Sequence, residues 1–135
     1  MTKILTFKKR KDFLRVARGH YVATHNMVLQ ATHSLCEKKD FFVGYTATKK
    51  IGNAVIRNLS KRRLRAVARE NLAQFGLSNV DYVFIAKKTT HSCDFEELKK
   101  DVVYAIKKIN KNFSQNDENS NKAHFNNENT SEETQ

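Results

Sequence analysis

The chain has 135 residues with 25 Lys+Arg against 14 Asp+Glu, a formal net charge of +11 and a sequence pI near 9.8. That balance points to a polyanionic partner, nucleic acid first, with a basic membrane-surface protein as the rival that the short Ala and Val opposite the charges disfavour. Two isolated cysteines, Cys36 and Cys93, lack Cys-x-x-Cys spacing and read as ordinary thiols; the five His also lack ligand spacing.

Charge is unevenly spread. Residues 114–135 hold one Lys against five acids (Asp117, Glu118, Glu128, Glu132, Glu133), so the first 113 residues are more basic than the whole. We read 1–113 as one nucleic-acid-binding type of domain, long enough to bury about two-thirds of its unfolded surface, and 114–135 as an acidic, Asn/Ser/Glu-rich disordered tail. No apolar run approaches a membrane span and no signal-peptide core precedes the basic run at 8–11, so the expectation is a cytoplasmic protein without membrane association.

In chain order, the first expected element is a short helix over 9–18 carrying Phe13, Val16 and Ala17, with Gly19 as a left-handed C-cap. Strand-like segments follow at 21–23, 27–33 and 41–47, the last two joined across 35–40 by a hairpin-type connection. Alternation places Val43, Tyr45 and Ala47 on one face and Phe42, Gly44 and Thr46 on the other.

A helix over 53–75, closed by Gly76, is the most informative segment. At 100° per residue, Arg57, Asn58, Lys61, Arg62, Arg65 and Arg69 share an arc of about 140°, with Val55, Leu59, Ala66 and Ala73 roughly opposite. That pattern predicts one cationic and one buried face. A solvated helix face interleaves acids at i,i+4, yet no Asp or Glu occurs between Lys49 and Arg69, which favours an anion-binding face. Arg63 breaks the pattern by pointing toward the expected apolar side. Beyond this helix, 82–86 is apolar on both faces, as a central strand is. The last helix begins at Asp94, with Glu97 completing a capping-box pattern and Phe95, Leu98, Val102, Ala105, Ile106 and Ile109 as its buried stripe.

The resulting order is an α+β sandwich of a small sheet with helices. The run Thr48-Lys49-Lys50-Ile51-Gly52-Asn53-Ala54-Val55, followed by Arg57-Asn58-x-x-Lys61-Arg62-x-x-Arg65, resembles the signature of the protein subunit of bacterial ribonuclease P. The flanks agree: Lys11-Asp12-Phe13, Gly19, and Asp81-Tyr82-Val83-Phe84-Ile85-Ala86-Lys87-Lys88. Gly and Asn at fixed places among the charges make this more specific than a basic run alone.

The resemblance implies an αβββαβα fold, a small mixed sheet and a left-handed βαβ crossover. It implies a role in removing the 5′ leader from precursor tRNA, as part of an endoribonuclease whose catalytic center and Mg2+ ions belong to an RNA subunit. The implied partners are that RNA and precursor tRNA, with no protein partner. Carried over by position, Lys49, Lys50, Arg57, Asn58, Lys61, Arg62, Arg65 and Arg69 form the RNA-contacting set. No catalytic or metal-ligating residues are expected in this chain.

A second implied surface is a cleft for the single-stranded leader between the first helix and the sheet, with candidates Phe13, Gln30, Phe42 and Thr46. Three positions depart from the family pattern. Leu59 stands for a usual Arg, Ala17 for a common aromatic in the first helix, and Gln30 for a common strand aromatic. Either leader stacking is weaker for these losses, or Phe42 on the same sheet face partly replaces them. A ribosomal or general RNA-binding protein would explain the charge but not the order of motifs, and a free-standing nuclease needs catalytic side chains that the sequence does not offer.

Overall fold

The computed structural model describes residues 4–7, 9–35, 41–77 and 79–122. Its elements are β1 (Ile4–Thr6), α1 (Arg10–Ala17), β2 (His20–Ala23), β3 (Met27–His33), β4 (Phe41–Thr46), a 3-10 turn (Lys49–Ile51), α2 (Ala54–Phe75), β5 (Val80–Ala86) and α3 (Phe95–Lys122). The α+β architecture is as expected, with one short strand added before the first helix.

All five strands form one mixed sheet in the order β1-β4-β5-β3-β2. β5 is central, parallel to β4 and antiparallel to β3. The expected hairpin between β3 and β4 therefore does not form: β5 lies between them. The physical reason is in β5 itself, whose side chains are apolar on both faces and lose most from any edge position. Residues 36–40 of the connection, Cys36 among them, lie outside the described residues. β4 and β5 are joined through α2, so α2 is the crossover between parallel neighbours.

Two apolar layers flank the sheet. On one face, Met27, Leu29, Ala31, Val43, Tyr45, Tyr82 and Phe84 pack with Leu64, Val67 and Leu72 of α2 and with Leu98, Val102, Ile106, Ile109 and Phe113 of α3. On the other, Val83 meets Val16 of α1 and Phe7, with Phe13, Phe42 and Ile85 at the margin. The alternation read for β4 holds, since Val43 and Tyr45 belong to the first layer and Phe42 to the second.

α1 is anchored to the sheet through Arg15 in its last turn. Arg15 Nη2 donates to Asp81 Oδ2 at 2.6 Å and Arg15 Nη1 to the His33 carbonyl at 3.1 Å, while Ser34 Oγ donates to Asp81 Oδ1 at 2.7 Å. Gly19 is not a left-handed cap; among the described residues only Gly52 has a positive φ, at 150°. Gly19 is required by contact instead: a Cβ there would stand 2.3 Å from the Ala31 carbonyl oxygen.

In α3, Asp94 accepts the first helical bond from Leu98 N–H, as expected of the N-cap position. Phe95, expected in the buried stripe, is exposed, and Phe113 extends that stripe instead. The helix runs to Lys122, past the boundary expected at 114, and residues 123–135 lie outside the described residues.

Candidate nucleic-acid interface

The cationic set begins where the chain leaves β4. Thr48 closes a 3-10 turn by accepting from Ile51 N–H, Gly52 takes a backbone that L side chains rarely adopt, and Asn53 caps α2 by accepting from Ile56 N–H at 3.0 Å. Gly and Asn thus stand among the charges because a sharp entry into the helix needs both. Lys49 and Lys50 are exposed on this turn.

Along α2, Asn58, Arg62, Arg65 and Arg69 are exposed, and Arg57 and Lys61 are half-buried. The phase of the helix differs from the expectation. Its buried residues are Ser60, Leu64, Val67, Ala68, Asn71 and Leu72, whereas Val55 is 74% exposed and Leu59, Ala66 and Ala73 are also in solvent. The sequence misleads here because two buried positions are polar. Ser60 Oγ donates to the Ile56 carbonyl at 2.8 Å and Asn71 Nδ2 to the Val67 carbonyl at 2.8 Å, so each returns its hydrogen bond to the preceding turn and is buried without penalty.

The shared cationic arc therefore adjoins the buried stripe instead of opposing it. Arg57 and Lys61 flank the packed side, and Arg65 reaches back over β4, its guanidinium carbon 5.3 Å from the Tyr45 ring centroid. Burial pushes the Tyr45 hydroxyl up to about 12, against an opposite pull from Arg65 and Arg69. The ring is neutral at physiological pH and serves as a cation-π seat. Among the described residues none of the α2 cations is in an ion pair; the salt bridges there are those of Arg15.

Arg63 is explained by the loop before α3. Its Nη1 donates to the Thr90 carbonyl and its Nη2 to the Cys93 carbonyl, both at 2.7 Å, and its guanidinium carbon lies 5.5 Å from the Phe95 ring centroid. It is a structural cation on a different side of the helix from the others.

The leader-cleft candidates Phe13, Gln30, Phe42 and Thr46 all lie on the α1 face of the sheet and are all half-buried. Phe13 and Phe42 meet through Phe7: the Phe7 ring is edge-on to Phe13 and stacked with Phe42, each at 5.9 Å between centroids. Phe13 rests on Gly44, where a Cβ would come within 2.5 Å of its Cε1. Gln30 shares a row with Gly44 through Val83, and Thr46 pairs with Ile85, which pairs with Val28. The structure thus groups two candidates in a ring cluster and spreads two along the adjoining open sheet. Sequence reasoning missed Phe7, which has no periodic neighbours to announce it, and Tyr21, whose outward direction follows from alternation with the buried Val22.

The site does not fit a resident magnesium ion. Its donors are cations and an amide, and no group of three or more His, Cys, Asp or Glu side chains that could hold a metal occurs among the described residues. The nearest buried carboxylate on the α1 face, Asp81, is already committed to Arg15 and Ser34. No helix among the described residues is long and apolar enough to cross a membrane.

Comparison with known proteins agrees with this geometry. The family model described as Ribonuclease P matches residues 1–110. The ribonuclease P protein component of Ruegeria pomeroyi is 40% identical over 108 residues, covering 78% of this chain and 86% of that protein. The Staphylococcus aureus RNase P protein structure superposes with a TM-score of 0.64 at 27% identity, over 76% of this chain and 92% of that one. The RNase P protein from Thermotoga maritima, at 22% identity and a TM-score of 0.62 over 73% of this chain and 92% of that one, shares the fold. With a cationic helix face free of ion pairs among the described residues, a ring cluster on the opposite sheet face and a family match over residues 1–110, the chain belongs to the ribonuclease P protein family.

Proposed function

We propose that this chain is the protein subunit of a cytoplasmic ribonuclease P, acting in tRNA processing by binding both an RNA subunit and the 5′ leader of precursor tRNA. The observation that carries the reading is the cationic side of α2 and its entry turn, unpaired among the described residues, with the aromatic α1 face on the other side of the same sheet. Guanidinium forks at Arg57, Arg62, Arg65 and Arg69 suit bidentate phosphate contacts, with Lys49, Lys50 and Lys61 as less directional charges and Asn58 as an amide donor to an RNA oxygen.

The chain's contribution is electrostatic and positional. Placing cations between two RNAs lowers their mutual phosphate repulsion, so that the productive complex forms at lower magnesium concentration. The hydrolytic center and its Mg2+ belong to the RNA subunit, and no step of this chain's side chains passes through the metal. Phe13 and Phe42 line the leader's path, with Gln30 and Thr46 on the floor beside them.

The test is cleavage of a leader-bearing precursor tRNA at low magnesium by the cognate RNA subunit, by this protein and by both. Efficient cleavage at the mature 5′ end by the mixture alone is the expected result. A protein that adds nothing to the RNA would overturn the reading.

A further inference from the structure

α1 crosses the sheet obliquely. Phe13 sits on Gly44 of β4, Val16 packs with Val83 of β5, and Gly19 presses on Ala31 and Thr32 of β3. Beside this diagonal the same face stays open: Val28, Gln30, Ile85 and Thr46 are half-buried, and Ala17 and Ala23 are exposed. One end of the open strip is closed by the rings of Phe7, Phe13 and Phe42.

The other end carries Tyr21. Pairing of β2 with β3 sets Tyr21 directly opposite Gln30, so their side chains share the α1 face, while the neighbouring Val22 turns into the core beneath α3. Tyr21 is 58% exposed. Among the described residues its ring and hydroxyl have no hydrogen-bond, ionic or ring partner. The other exposed aromatics differ: Tyr104 is held by Lys108, whose Nζ donates to its hydroxyl at 3.1 Å, and Phe95 lies under Arg63.

We infer that Tyr21 is a second stacking platform for single-stranded RNA, one strand beyond Gln30, at the β2 end of the open strip. The inference rests on the leader-binding reading above and adds to it a residue and a direction. The row Gly44, Val83, Gln30, Tyr21 spans three strand spacings, about 14 Å, so a base stacked at Tyr21 is distinct from one at Phe13. Alongside this row runs the next one, Thr46, Ile85, Val28 and Ala23, a mostly apolar floor on which bases, but not phosphates, can lie. Exposed, without a partner and set on the open strip, the ring is free to take a flat ligand, and the occupant that fits a strongly basic domain is a polyanion with flat apolar faces. Arg18, exposed three residues earlier, offers a charge for its backbone.

The test uses the reconstituted enzyme of this chain and its RNA subunit, with precursor tRNA carrying 2-aminopurine at successive leader positions and with mature tRNA lacking a leader. Tyr21→Ala should weaken binding of the leader-bearing substrate by about 5- to 100-fold, leave mature tRNA binding unchanged and relieve fluorescence quenching at one leader position; Tyr21→Phe should behave as the parent. Tyr21 is exposed on an edge strand, so the folded state tolerates both changes. If Tyr21→Ala keeps the parent's full preference for the leader, Tyr21 is not a platform while the leader reading stands. If the parent itself shows no preference for the leader, both are overturned.

Discussion

Gly44 and Phe13 show how a single position can serve packing and recognition together. Any side chain at 44 would meet the Phe13 ring, so the glycine exists to let that ring lie on the sheet. Gly44→Ala should cost about 1–3 kcal/mol in chemical denaturation, and much less in a Phe13→Ala background, a coupling that a double-mutant cycle reads directly. Arg65 answers to a different measurement. Exposed over Tyr45, it gains little for stability, but Arg65→Ala should lower the salt slope of RNA affinity by about one unit by removing one phosphate contact. Arg63 is the control for that experiment: its two hydrogen bonds to loop carbonyls make Arg63→Ala lose about 1.5–3 kcal/mol of folding stability while the slope stays put.

At the level of elements, the helix of the cationic signature was legible in the sequence because capping, charge spacing and the Gly-Asn entry all act locally. Its rotation was not, because Ser60 and Asn71 are buried by hydrogen bonds to their own helix, which hydropathy does not register. β5 could be read as central from its two apolar faces, yet its insertion between β3 and β4 is a long-range choice that no window of sequence contains. Likewise β1 has too few residues for a period to show. The C-terminal half of α3 illustrates another non-local device: the Phe113 ring lies edge-on to both His20 and His33, at 5.1 and 4.8 Å between centroids. Burial, with the nearby His33, holds the His20 imidazole below its ordinary value of 6.5. The unfolded chain then binds a proton more readily, so stability is full above pH 6.5 and falls as pH drops from there toward the native value. Unfolding midpoints taken across that range should show the loss, and His20→Gln should flatten it.

For the molecule as a whole, the entry turn and α2 gather Lys49, Lys50, Arg57, Lys61, Arg62, Arg65 and Arg69 on one side, while the acids Asp81 and Asp101 are occupied by internal bonds. If all seven cations neutralise a phosphate, the logarithm of RNA affinity should fall with the logarithm of salt at a slope of about −5 to −6, a value that titration at several ionic strengths measures. The strand order has a consequence of another kind, in time. β3 and β4 are both synthesised before β5, yet each presents its free edge to a neighbour that does not exist until residues 80–86 have been made. Until then two strands stand with open hydrogen-bonding edges, and no sheet can close around them. The nascent chain therefore passes through a window of exposure to wrong pairing that ends only when β5 arrives, and its own dense positive charge, by keeping copies apart, guards it through that interval.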